Sequence, residues 1–286
     1  MRKKMIYKNK QYDEERALYD VENAEVIDCL FDGPADGESA LKECRNIKVE
    51  GCDFKLRYPF WHVTGAEIKD CSTSDTCRAA LWYDEDISIA DSKLHGIKAL
   101  RECKNIKLTD TDIISEEFGW RCSDLTVNSC SLASQYAFFE TKNIEIDNLT
   151  MTGKYSFQYI ENTTIKNSNF KTKDAFWHAK DVTVYDTVLE GEYLGWYSEN
   201  LRLVRCHIKG TQPLCYCRGL ILEDCTMEDT DLSFENSEVE ATVNGEIMSV
   251  KNPVSGSIKA DSIGEIIWDE KHKASSTCEI KITQTV

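Results

Sequence analysis

No catalytic signature, no cofactor fingerprint and no long apolar run occurs in this chain of 286 residues. Each absence excludes something. A membrane helix needs about 20 consecutive apolar residues, and none are found; the basic opening MRKKMIYKNKQYDEER has no apolar stretch behind it to form a signal peptide. The expectation is therefore a cytoplasmic protein. Positive charge is also in deficit, with 34 Lys and Arg against 50 Asp and Glu and a formal net charge of −16. Such a surface repels phosphates, so neither nucleic acid nor a membrane is an expected partner, and a polyanionic glycan would need a bridging metal. Cys215 and Cys217 stand too close for a C-x-x-C redox or zinc pattern. No metal and no cofactor is expected.

What the chain does have is a period. Asp181–Glu199 (DVTVYDTVLEGEYLGWYSE) and Asn200–Arg218 (NLRLVRCHIKGTQPLCYCR) align position for position over nineteen residues. Coils open at Ala24, Ile47, Ala66, Ile87, Ile106, Leu125, Ile144, Thr163, Val182, Leu201, Leu220, Val239 and Ile258. The residue before most openings is Asn, Asp or Gly (Asn46, Gly65, Asp86, Asn105, Asp124, Asn143, Asn162, Asp181, Asn200, Gly219). These types tolerate a left-handed backbone, so the column predicts a tight corner recurring in every coil. The segments between corners are short, apolar or β-branched, and alternate with period two, which excludes helical repeats. The resulting expectation is an all-β fold, a single-stranded right-handed parallel β-helix, right-handed because parallel crossovers are. Residues 1–23, with helix-forming YDEERALYD, are expected to form a short N-terminal cap; 24–270 form the β-helix; 271–286 form a C-terminal strand or tail, all in one domain.

Six of the thirteen cysteines (Cys29, Cys52, Cys71, Cys130, Cys206, Cys225) share one repeat position with Ser92, Thr111, Ser168 and Thr187. A column that accepts Cys, Ser or Thr wants a small side chain, so reduced, buried, stacked thiols are expected rather than a disulfide framework.

The segments EERALYD (Glu14–Asp20), DGESALKE (Asp36–Glu43), DAFWHAKDVTVYDTVLEGEYLGWYSENL (Asp174–Leu201) and SVKNPVSGSIKADSIGEII (Ser249–Ile267) resemble a bacterial family known as domain of unknown function 3737. The resemblance implies a pectin-lyase-like single-stranded β-helix. It implies no activity and no catalytic residue.

Three columns of the third strand carry the side chains with chemistry. One holds Lys42, Trp61, Trp82, Arg101, Trp120, Phe139, Gln158, Trp177, Trp196, Cys215 and Phe234. The next holds Glu43, His62, Tyr83, Glu102, Arg121, Glu140, Tyr159, His178, Tyr197, Tyr216 and Glu235; the third, beginning Leu41 and Phe60, is uncharged and expected to face inward. Alternation then turns the tryptophans outward, where indole faces could stack sugar rings and Trp82, Arg101 and Trp120 could form a cation–π sandwich. The alternative is that the tryptophans are core and only Lys42 and Arg101 reach water. Trp61, Trp82, Arg101, Trp120, Trp177, Trp196, His178 and Tyr197 are the candidate binding residues. Glu102 and Glu140, roughly 9.6 Å apart at twice the strand spacing, are the weak catalytic candidates, but Arg121 between them would bind both and hold them ionised. His62 and His178 are too distant from each other to share a metal. The irregular DGES, with Glu38, Lys42 and Glu43 nearby, is either a loop site or an end turn. Two functions of different class follow: a binding or scaffold protein presenting an aromatic strip to a neutral glycan or a protein partner, or a carbohydrate-active enzyme of hydrolase or lyase type using third-strand carboxylates.

Overall fold

The computed structural model describes residues 4–34 and 38–284. It is 56% strand and 3% helix, and winds as a parallel β-solenoid of about 14 turns with about 19 residues in each. Two compact units, Met1–Glu145 and Ile146–Val286, divide the chain.

In the first unit four successive turns open on six-residue strands, Arg45–Glu50, Thr64–Lys69, Glu85–Ala90 and Lys104–Thr109. Alternate residues point inward, so Ile47, Ala66, Ile87 and Ile106 fall in unbroken parallel register and are at most 4% exposed. A second line of strands follows (Asp53–Phe54, Ser72–Thr73, Lys93–Gly96, Asp112–Ser115). The third side is a five-stranded sheet of very short strands: Phe60–Trp61, Leu81–Trp82, Leu100–Arg101, Glu117–Trp120 and Tyr136–Ala137. Inside, side chains of one column stack turn on turn, as Phe31 does on Phe54 with ring centres 4.7 Å apart.

The second unit repeats the opening strands as Glu161–Lys166, Lys180–Tyr185 and Glu199–Val204. Its third side corrects the sequence expectation of a third strand. Residues 156–159, 174–178 and 194–197 are turns, although backbone hydrogen bonds still join successive turns there, from Tyr159 N to Trp177 O at 2.9 Å and from His178 N to Trp196 O at 3.0 Å. Gly195 and bulky left-handed residues such as Phe157 and Phe176 bend these segments out of strand geometry.

The predicted corner exists. Asn46, Asp86, Asn105, Asp124, Asn143, Asn162, Asp181 and Asn200 all have φ between 52 and 61°, and Gly65 and Gly219 occupy the same place at 71 and 61°. Asn side chains reach back along the column, Asn105 to Asp86 and Asn143 to Asp124 in one unit and Asn200 to Asp181 in the other. A second left-handed column, Asp70, Asp91, Asp110 and Ser129, then Asn148, Asn167, Asp186 and Arg205, stands just before the Cys/Ser/Thr column. The same residue preference marks it, but it was not recognised in the sequence.

At the N-terminus the structure overturns the cap. Met5–Lys8 pairs in parallel with Ala24–Ile27 and Gln11–Tyr12 with Leu30–Phe31, so the solenoid begins at residue 5 rather than 24. The helix-forming composition of residues 15–20 is overridden by backbone bonds from Arg16 N to Glu38 O and from Leu18 N to Ala40 O, which hold the segment as a turn on the next coil. Ala35, Asp36 and Gly37 lie outside the described residues, and with them half of the DGES segment. At the other end a short helix, Glu270–Ser275, leads into Glu279–Ile282, which pairs with Ser255–Ile267.

Candidate functional site

The third side carries two neighbouring columns whose backbone explains their geometry. Residues of the polar-tipped column are left-handed almost throughout: His62, Tyr83, Glu102, Arg121 and Glu140 in the first unit and Tyr159, His178, Tyr197 and Tyr216 in the second have φ between 52 and 61°. This conformation costs bulky residues roughly 1–2 kcal/mol each. It projects every side chain in the same direction, one turn above the next, where rings stack. Tyr159 lies 5.0 Å from His178, His178 5.1 Å from Tyr197, and Tyr197 4.8 Å from Tyr216, with interplanar angles of 9, 9 and 12°. In the first unit His62 stacks on Tyr83 at 5.1 Å. Tyr83, Tyr159 and Tyr197 are 42, 48 and 43% exposed, so the column meets solvent.

The tryptophans one residue earlier are half-buried. Trp61 and Trp82 are parallel within 12° at 5.7 Å, and Trp177 and Trp196 within 3° at 5.5 Å. Three indole N–H groups donate to the backbone of the following turn: Trp120 to Tyr136 O at 2.7 Å, Trp177 to Tyr193 O at 2.9 Å and Trp196 to Gln212 O at 2.7 Å. Those of Trp61 and Trp82 are buried without a partner among the described residues. This geometry corrects the idea that a row of indole faces is available to stack sugar rings. Trp61 and Trp82, and Trp177 and Trp196, each spend a face on the other, while Trp120 lies under Arg101 and against Phe139, so edges are what these pairs leave outward.

The polar members of the tryptophan column have partners rather than free solvation. The Lys42 ammonium sits 4.1 Å from the Trp61 ring centre. Arg101 lies over Trp120 at 5.4 Å and binds Glu117 and Glu102, each at 3.2 Å, so the cation–π sandwich is realised on its Trp120 side. Gln158 donates to Asp174 O.

The carboxylates fare differently from expectation. Arg121 binds Glu140 at 2.7 Å, whereas Glu102 is engaged by Arg101 and by the Tyr83 hydroxyl, whose pKa that carboxylate raises. Arg121 therefore does not clamp both acids as expected. Each has its own cation, Arg101 for Glu102 and Arg121 for Glu140. A groove of about 490 Å³ is found in the second unit, with His178, Tyr197 and Tyr216 among its lining residues. Among the described residues no group of three His, Cys, Asp or Glu is placed to hold a metal, and no helix is long and apolar enough to cross a membrane.

Residues 5–281 match the family described as "Protein of unknown function (DUF3737)". The chain belongs to DUF3737. Its solved structural relatives are pectin-lyase-like β-helix proteins. The DUF3737 chain is similar in fold to PfbA, a surface adhesin of Streptococcus pneumoniae, with a TM-score of 0.51 at 9% identity over 91% of this chain and 83% of that one. It is also similar to a tailspike protein mutant of E. coli bacteriophage HK620 solved in complex with a pentasaccharide, with a TM-score of 0.52 at 7% identity. That match covers 91% of this chain but only 62% of the tailspike. No curated protein matches the chain in sequence.

Proposed function

We propose that the protein is a glycan-binding β-solenoid that presents its ladder of ring edges to a neutral glycan. The observation that carries this is the stacked run of the exposed Tyr159, His178 and Tyr197 with the half-buried Tyr216, with the shorter His62 and Tyr83 run in the first unit. Stacked rings are rigid, and their outward edges carry hydroxyl and imidazole groups repeated once per turn. Such a row suits a ligand that itself repeats hydroxyl groups along its length. The net charge of −16 favours a neutral chain over an acidic one. The likeness to a tailspike solved with a pentasaccharide supports a glycan over a protein ligand. Thirteen unpaired cysteines, twelve of them buried, support the reducing cytoplasm as its place of action.

An array of neutral glycans probed with the wild type and with Tyr83→Ala and Tyr197→Ala tests the reading. Binding that is retained on folding-competent protein but weakened by either substitution is the expected result. An array blank for every neutral structure would end it.

A further inference from the structure

The groove of the second unit has lining residues that the aromatic ladder does not explain. Besides His178, Tyr197 and Tyr216 it is lined by Glu199, Arg218 and Glu238, whose charges alternate along successive turns. Glu199 and Arg218 are bridge partners in the backbone register, one turn apart. At several other places such register partners close into an ion pair, although Glu50 with Lys69, and Lys180 with Glu199, do not. In the same column of the first unit Glu85 and Lys104, also register partners, bond at 3.1 Å. On other columns of the second unit Lys173 binds Glu192 at 2.8 Å and Arg205 binds Asp186 at 2.7 Å. Glu199, Arg218 and Glu238 make no ion pair and no side-chain hydrogen bond among the described residues. Three charges that could neutralise one another instead stand apart around an open space.

From this we propose that the groove is a binding site for a neutral oligosaccharide, with Glu199 and Glu238 accepting from sugar hydroxyls and Arg218 donating to ring or glycosidic oxygens. The proposal rests on the glycan reading above and adds the site and the residues that select the ligand. Carboxylates accept two hydrogen bonds readily from adjacent hydroxyls, and a guanidinium offers its donors in one plane, so unpaired members of both signs match a polyhydroxylated ligand. An acidic sugar would meet two carboxylates for one guanidinium and be repelled. The tyrosines of the lining add hydroxyls: burial and the nearby Glu235 raise the Tyr216 phenol's pKa, keeping it a donor.

The test is calorimetric titration of the full chain with maltohexaose, cellohexaose and mannohexaose, and with hexagalacturonate as the charged counterpart. Binding of a neutral hexamer should weaken about tenfold in Arg218→Ala and in the Glu199→Gln, Glu238→Gln double variant, as for loss of a charge-assisted hydrogen bond. Thermal midpoints should stay near that of the wild type, and Lys104→Ala, the same column in the other unit, should bind as wild type. A neutral hexamer bound undiminished by the groove variants would overturn the site while leaving the glycan reading intact. Preference for hexagalacturonate would overturn the ligand class. No binding of any hexamer by the wild type would overturn the site and the glycan reading together.

Discussion

At the scale of single residues, the Cys/Ser/Thr columns are explained by hydrogen bonding as much as by size. Beside the left-handed corner a backbone N–H turns inward, and the side chain one turn on receives it: Cys52 N donates to Cys71 Sγ at 3.4 Å, Cys71 N to Ser92 Oγ at 3.1 Å, and Ser168 N to Thr187 Oγ1 at 3.2 Å. The same side chain donates to the carbonyl two residues back, as Ser92 does to Ala90 O and Thr187 to Tyr185 O. A second such column follows the polar-tipped corner, running Asp84, Cys103, Cys122 and Thr141. Asp84 is its odd member. It accepts from Val63 N at 2.7 Å through Oδ1, while Oδ2 is buried with no partner.

Complete burial pushes the Asp84 carboxyl well above its ordinary range. The folded state thus holds this proton more tightly than the unfolded chain, where a carboxyl titrates near about 3.9. Its favourable contribution is complete below that value and is lost as pH rises through the folded pKa. Asp84→Ser supplies the column's usual group without the charge. It should raise the thermal midpoint at pH 8 by an amount corresponding to about 1–3 kcal/mol, with little change at pH 4. Equal effects at the two pH values in melting curves followed by circular dichroism would show that Asp84 is not a buried, neutral acid.

At the scale of elements, the third side is held by stacked rings where regular strands are short or missing. In the second unit three consecutive stacks of the exposed column, each worth about 0.5–1.5 kcal/mol, offset the left-handed backbone that positions them. The indole N–H groups separate two kinds of tryptophan. Trp196→Phe keeps a ring against Trp177 but loses the bond to Gln212 O, and should cost about 1 kcal/mol. Trp82→Phe removes a buried donor that has no acceptor, so denaturant melts should find it close to neutral. A larger loss at Trp82 than at Trp196 would contradict this division.

At the scale of the whole molecule, the wall chemistry fixes how the protein responds to reagents. Twelve cysteines are buried and so shielded, and burial raises the pKa of Cys44, Cys77 and Cys217 to about 11 and of Cys215 to about 12, which keeps these four un-ionised as well. Cys278 alone is half-exposed, its own pKa raised to about 11 by burial and by Glu240 and Glu279. A disulfide-exchange reagent at pH 8 should therefore titrate one thiol, slowly, in the native protein and thirteen after unfolding. Several fast native thiols would show that the columns open in solution, and fewer than thirteen after unfolding would reveal disulfides.

The nineteen-residue period, the solenoid, the Asn/Asp/Gly corner and the small-residue column were legible in the sequence, because each is a local preference repeated until it stands above chance. Residues 5–20 were not: the helix-forming YDEERALYD becomes a turn because backbone partners from residues 38–42 lie alongside it. Glu102, Arg121 and Glu140 could be placed in one column, but which acid the guanidinium takes depends on a second cation, Arg101, arriving from the neighbouring column. The tryptophan and tyrosine columns were visible as columns, yet only the tertiary structure decided that they offer edges. Successive turns lie about 4.8 Å apart, close to the distance at which flat rings pack, so aromatic residues at identical positions can stack face to face, as Trp61 does with Trp82 and His178 with Tyr197. Composition sets which rings recur, and the spacing between turns sets which of their atoms remain free.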